Sequence, residues 1–226
     1  MLGTEHPVPR TGDRRLGSLL LFFVKVRVLG PVEVTGSGRS PPPKERAVLT
    51  VLALGVGTRV PIGRLVDALW GESPPRTAVR GLHAHVSRLR QRMEPGVITE
   101  GRDGAYRLEL LPDEVDVACF ERLAAEGRDS LGSGDSERAA ALLSEALALW
   151  RGDPGSDVAA GTAAAAEVVR LVELHRSVEE LRAEAMLQQG RHDEQLPELE
   201  RMALAEPLRE RRWELLMVAL YRCDRP

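Results

Sequence analysis

SPPRTAVRGLHAHVSRLRQRM, residues Ser73–Met93, is the stretch whose reading decides the fold. Ser73 suits a helix N-cap, and Pro74 and Pro75 suit a first turn, where no backbone donor is missed. Val79, Leu82, Val86, Leu89 and Met93 recur at helical spacing, which predicts one buried stripe. At 100° per residue, Thr77, Arg80, Ala84, Arg88 and Gln91 fall opposite that stripe, with Arg76, Ser87 and Arg92 on its shoulders. Small residues between cations let such a face approach a duplex closely. A solvated basic face on an ordinary surface helix fits the same pattern, so the neighbouring segments must decide.

Upstream, Leu19–Leu29 reads as a strand, Gly30-Pro31 as a turn and Val32–Thr35 as a second strand. Lys44–Leu54 is apolar around most of its circumference and belongs in a core. Ile62, Leu65, Val66, Leu69 and Trp70 mark an amphipathic helix stopped by Gly71. Downstream, Val97–Glu100 and Ala105–Leu110 flank Gly101-Arg102-Asp103-Gly104, a hairpin signal. Strands, three helices and a terminal hairpin describe a winged helix-turn-helix, whose third helix enters the major groove. Arg102 sits at the tip of the wing, as a backbone contact or as a solvated loop residue.

From Asp116 onward every signal is helical. Val117, Phe120 and Ala124 open one helix, and Ala139, Leu143, Ala146 and Trp150 line another after a cap at Asp135 or Ser136. A long helix over Thr162–Gln189 follows, broken by Gly190. Leu196, Leu199 and Ala203 mark a short helix; Trp213, Leu216, Met217 and Leu220 mark the last. A faint internal echo pairs Gly134-Asp135 and Asp153-Pro154 with Gly190-Arg191 and Glu206-Pro207. That is the grammar of stacked helical hairpins of tetratricopeptide type, although the interval exceeds their usual roughly 34 residues; a generic helical bundle is the alternative.

The chain of 226 residues is 43% hydrophobic and 29% charged, enough for one large or two small domains. Its net charge of −3 conceals an asymmetry: residues 1–112 hold 17 basic and 10 acidic side chains, and residues 113–226 hold 14 and 24. The expectation is that only the first half meets a polyanion. Cys119 and Cys223 are isolated, as in a reduced compartment. No run is long enough to span a membrane, and Arg14-Arg15 ahead of Leu16–Val24 lacks a cleavage site, so a soluble, cytoplasmic protein is expected. His83 and His85, at i and i+2, diverge around a helix and do not form a metal pair. No phosphate loop or nucleophile elbow is present. Catalysis, metal binding and a cofactor are not expected.

The motifs together are specific. VRVLGPVEV (Val26–Val34), PKERAVLTVLAL (Pro43–Leu54), LVDALWGESPP (Leu65–Pro75), HVSRLRQRM (His85–Met93), PDEVDVACFERL (Pro112–Leu123), AAALLSEALALWRGDP (Ala139–Pro154) and Gln189–Arg222 run through nearly the whole chain. The chain resembles the Streptomyces antibiotic regulatory protein family, which joins an OmpR-type winged helix to a bacterial transcriptional activation domain. Residues 1–18, polar and rich in Gly, Pro and Arg, are expected to be a disordered extension; the resemblance implies a winged-helix DNA-binding domain over 19–112 and a tetratricopeptide-like activation domain over 113–226. It implies an activator of an antibiotic gene cluster that binds direct repeats of double-stranded DNA near the −35 element. Two protomers would sit side by side there and recruit RNA polymerase through its sigma subunit. It places the DNA-reading positions on Thr77, Arg80, His83, Ala84, Ser87, Arg88 and Gln91, beside the flanking Arg92 and Arg102. Relative to the family pattern, the chain stops soon after Tyr221-Arg222, and Gly81 stands where better helix formers are common. A DNA-binding repressor or accessory regulator, and a helical-repeat adaptor that binds only proteins, are the competing readings.

Overall fold

A computed structural model of the chain describes residues 24–36 and 40–223. The expected extension over 1–18 and the first part of the expected opening strand lie outside the described residues. A short antiparallel pair, β1 (Val26–Arg27) with β2 (Glu33–Val34), opens the fold. Val24, Val26 and Val28 are buried while Lys25 and Arg27 point outward, the alternation a half-buried strand requires. Three helices follow: α1 (Pro43–Leu54), α2 (Ile62–Trp70) and α3 (Ala78–Arg90). Strands β3 (Ile98–Glu100) and β4 (Tyr106–Leu108) then pair antiparallel as a wing, and Val60 adds a bridge to Tyr106 on its other side. This is a winged helix-turn-helix.

The third helix begins later than its sequence suggests. Ser73 is no N-cap; Thr77 holds that position and supplies no side-chain cap. Each proline pushes the residue before it toward extended backbone, so Ser73 and Pro74 stay out of the helix, and a turn closes from the Ala78 N–H to the Pro75 carbonyl at 2.9 Å. The buried stripe accordingly runs through Ala78, Leu82, Val86 and Leu89. Val79 was expected in that stripe, but lies one step around the first turn and is 48% exposed. Met93, beyond the helix end, still packs against the core.

The rest is α-helical: α4 (Asp116–Gly132), α5 (Ser136–Ala148), α6 (Ala163–Gln188), α7 (His192–Ala205) and α8 (Glu210–Arg222). Short links between α4 and α5, and between α7 and α8, make helical hairpins, and the architecture is that of a helical-repeat array. Asp135 caps α5 by accepting the Arg138 N–H, and Thr162 caps α6 by accepting that of Ala165. Trp150 lies beyond the end of α5 rather than on it, yet packs edge-on to Phe120 with ring centroids 5.3 Å apart. The stripe expected on the last helix is rotated. Arg212, Leu215, Leu216 and Ala219 are buried, while Trp213 and Met217 face out. The cause is electrostatic: Arg212 lies within 2.9 Å of Glu179 and 3.3 Å of both Glu180 and Glu206, and is drawn inward.

One hydrophobic core runs from Val24 through the winged helix into α4, α5 and α6, ending at Met186. A second, smaller core joins the end of α6 to α7 and α8. Polar ties cross between the halves. Arg46 on α1 grips Asp157 through Nε and Nη2 at 2.6 and 2.7 Å, the Arg151 N–H donates to the Leu29 carbonyl at 2.9 Å, and the Ala159 N–H to that of Ala68 at 2.8 Å. Gly30 (φ 125°) permits the approach of Arg151 to Leu29: a side chain there would meet the Arg151 backbone at 2.9 Å. The winged helix, through α1, α2 and the chain after β1, is thus held against the helical array.

Candidate nucleic-acid interface

The outward face of α3 carries Thr77, Arg80, Ala84, Ser87 and Gln91, all exposed. Its side chains are short except for Arg80 and Gln91, leaving the helix backbone accessible between them. The Arg80 side chain makes no ion pair or hydrogen bond among the described residues, and neither does that of Arg76 just before the helix. His83 is also exposed, on the wing side of this face, with its ring edge-on to Tyr106 at 6.2 Å. Seven family-implied positions therefore share one accessible side of the helix, Arg88 completing the set.

Arg88 is half exposed, but its inner edge is engaged. Its Nε donates to Oε1 of Glu45 at 2.7 Å, and its Nη2 lies 2.8 Å from Nδ1 of His85. Arg92 approaches the other oxygen of the same carboxylate, Nε to Oε2 3.3 Å. Glu45 itself is 1% exposed, so α1 supplies one buried anion to two arginines of α3 and its end. The sequence points to Arg90 as the arginine with an internal acidic partner. Instead Arg90 donates to the Ile98 carbonyl at 2.9 Å and stacks on Tyr106, tying the helix to the wing. Arg90 lies on the flank nearest β3, whereas Arg88 and Arg92, four apart, share the flank above α1.

Glu45 escaped the sequence reading, although a signal exists. It stands in a helix buried around most of its circumference, and a buried carboxylate requires a cationic partner. Lys44 beside it is taken: its ammonium caps the Leu69 carbonyl and lies 5.3 Å over the Trp70 ring. The partner had to come from another element.

Gly81 turns inward. A β-carbon there would meet the Trp70 indole at 3.6 Å, an ordinary contact, so the glycine does not open the helix toward a ligand. On the wing, Gly101 and Gly104 close the turn, with the Gly104 N–H on the Gly101 carbonyl at 2.9 Å and Gly104 at φ 74°. Arg102 is exposed at the tip and has no partner among the described residues, while Asp103 pairs with Arg59 at 3.1 Å. No group of three or more metal-ligating side chains occurs among the described residues, nor is any helix there long and apolar enough to cross a membrane. His175 packs on Trp150 with ring centroids 4.2 Å apart.

Comparison with known proteins matches both halves. Residues 39–108 fit the family described as transcriptional regulatory protein, C terminal, and residues 115–226 fit the bacterial transcriptional activator domain. The chain is 36% identical to the regulatory protein DnrI of Streptomyces peucetius over 89% of its own length and 79% of that protein. It is 39% identical to the regulatory protein AfsR of Streptomyces coelicolor over 88% of its length, but only 20% of AfsR. Among solved structures, Mycobacterium tuberculosis EmbR in complex with a low-affinity phosphopeptide aligns with a TM-score of 0.80 at 31% identity, over 90% of this chain and 56% of that one.

Proposed function

The chain belongs to the Streptomyces antibiotic regulatory protein family of transcriptional regulators, and from that premise we propose that it activates transcription by reading DNA with α3. The supporting observation is the outward face of that helix: Thr77, Arg80, Ala84, Ser87, Arg88 and Gln91 line one accessible side, with His83 beside them, Arg92 just past the helix end and Arg102 exposed at the wing tip. An α-helix fits the major groove, where each base pair presents a distinct pattern of donors and acceptors. Arg80 and Arg102, having no partner among the described residues, are suited to phosphates, which fix register without specifying sequence. Ser87 and Gln91 supply short hydrogen-bonding groups for base edges.

The remainder of the proposal follows the family. The sites are direct repeats near the −35 element of a secondary-metabolite gene cluster, bound by two protomers side by side in the cytoplasm. The acidic helical half faces RNA polymerase, including its sigma subunit. Helical-repeat arrays present extended surfaces to protein partners, and the excess of acidic over basic side chains after residue 112 keeps that surface off the DNA.

Footprinting on the promoters around its own gene, followed by transcription in vitro from the protected promoter, tests the reading. Protection of two repeated segments on one face of the duplex, with stimulated transcript, supports it. Protection with loss of transcript leaves a DNA-binding repressor. Absence of binding to any duplex even at low salt, where nonspecific attraction is strongest, leaves a protein-binding adaptor.

A further inference from the structure

Glu45 has a place in the fold but none in the reading above. It is buried on α1, and nothing about covering a hydrophobic core calls for a carboxylate there. What it does is fix a guanidinium. Arg88 gives its Nε hydrogen to Glu45 and an Nη2 hydrogen to His85. A guanidinium only donates, so His85 Nδ1 is the acceptor and carries no proton. Burial, and next the charge of Arg88, lower the pKa of His85, which suits that state. With the Nε–Nη2 edge turned inward, Nη1 and the second Nη2 hydrogen have no partner among the described residues. That is the edge of an arginine that forms end-on bidentate contacts with the O6 and N7 of guanine.

We propose that Glu45 is a positioning residue for sequence readout: it orders the Arg88 guanidinium before DNA arrives and cancels part of the charge of Arg88 and Arg92. The proposal rests on α3 being the DNA-reading helix. A guanidinium held in advance has less freedom to lose on binding, and a partly neutralised one contributes less to sequence-independent attraction. Glu45 thus trades nonspecific affinity for discrimination.

The test starts with a duplex selected from a random pool by the full wild-type chain. Binding to it, and to a scrambled duplex of equal length, is measured for wild type, Glu45→Gln, Arg88→Ala and the double variant. Glu45→Gln is expected to weaken the selected duplex by about tenfold while leaving the scrambled one unchanged or tighter. Arg88→Ala should then cost much less in the Glu45→Gln background than alone. Equal loss on both duplexes, or additive effects of the two substitutions, would indicate a merely structural carboxylate and overturn the proposal. Should Glu45→Gln fail to fold, nitrogen relaxation of Arg88 Nε in the DNA-free wild type decides: order matching the backbone supports positioning, and free rotation overturns it. A pool that the wild type cannot enrich refutes the DNA reading itself, and the positioning role falls with it.

Discussion

The carboxylate of Asp116 accepts the backbone N–H of Val28 through both of its oxygens, at 2.9 and 2.8 Å. It also accepts the Leu29 N–H at 2.9 Å, so the first turn of α4 is bonded to the chain leaving β1. The nearest cation, Arg151, is 3.7 Å away and also pairs with Glu33 at 3.0 Å.

Burial pushes the Asp116 acid up to about 6 from an ordinary 3.8, against the backbone N–H groups and Arg151, which pull it down. The folded chain therefore holds this proton more tightly than the unfolded one. Its contribution is fully present below about pH 4 and is lost as pH rises through about 6, an effect of order 3 kcal/mol. Urea unfolding of wild type and Asp116→Asn between pH 4 and 7 tests this. The stability of wild type relative to the variant should fall across that window; a flat difference would show that the hydrogen bonds offset the burial.

Gly81→Ala should stabilise the protein by about 0.5–1 kcal/mol, because alanine is the better helix former and its methyl meets Trp70 at an ordinary distance. DNA affinity should not change, since Gly81 faces inward. Thermal unfolding together with a binding isotherm checks both halves of the statement, and weakened binding would place Gly81 at the interface.

Arg80→Ala removes an exposed cation that has no partner among the described residues. Binding should weaken to a similar extent on all duplexes, and the slope of log affinity against log salt should become shallower by about 1. Loss confined to one sequence would instead make Arg80 a base reader.

Arg212 is almost fully buried among Glu179, Glu180 and Glu206, and it also donates to the Met202 carbonyl at 3.0 Å. Arg212→Ala should cost about 3 kcal/mol by leaving carboxylates without their cation, although Arg209 and Arg176 remain on Glu180 and Glu206. Burial already raises the Glu179 acid, with Arg212 opposing. A group with a raised folded pKa is least costly when protonated, so the deficit of the variant should shrink as pH falls from 7 to 5. A pH-independent deficit would show that packing, not charge, is what Arg212 supplies.

Helix identity was legible wherever apolar spacing was regular: α1, α2 and α6 begin and end within a residue or two of their sequence limits. The start of α3 was not, because two adjacent prolines suit a first turn and an extended lead-in equally well, and only tertiary packing chooses between them. The face of α8 was misread for a different reason. Hydrophobic periodicity favours Trp213 and Met217 inward, but three carboxylates from α6 and the link ahead of α8 select Arg212. The outward set on α3 could be read from helical rotation, whereas the commitment of Arg88 and Arg92 to Glu45 joins residues 43 and 47 positions apart, which no local pattern encodes.

Methylation interference on a selected duplex tests most directly whether α3 reads the major groove. Methyl groups on guanine N7 project into that groove, and those on adenine N3 into the minor one. Interference by N7 methylation in two repeated segments, weakened at one guanine per segment in Arg88→Ala, is the expected result. Interference confined to adenine N3, or a pattern unchanged by substitutions along the outward face of α3, would contradict it.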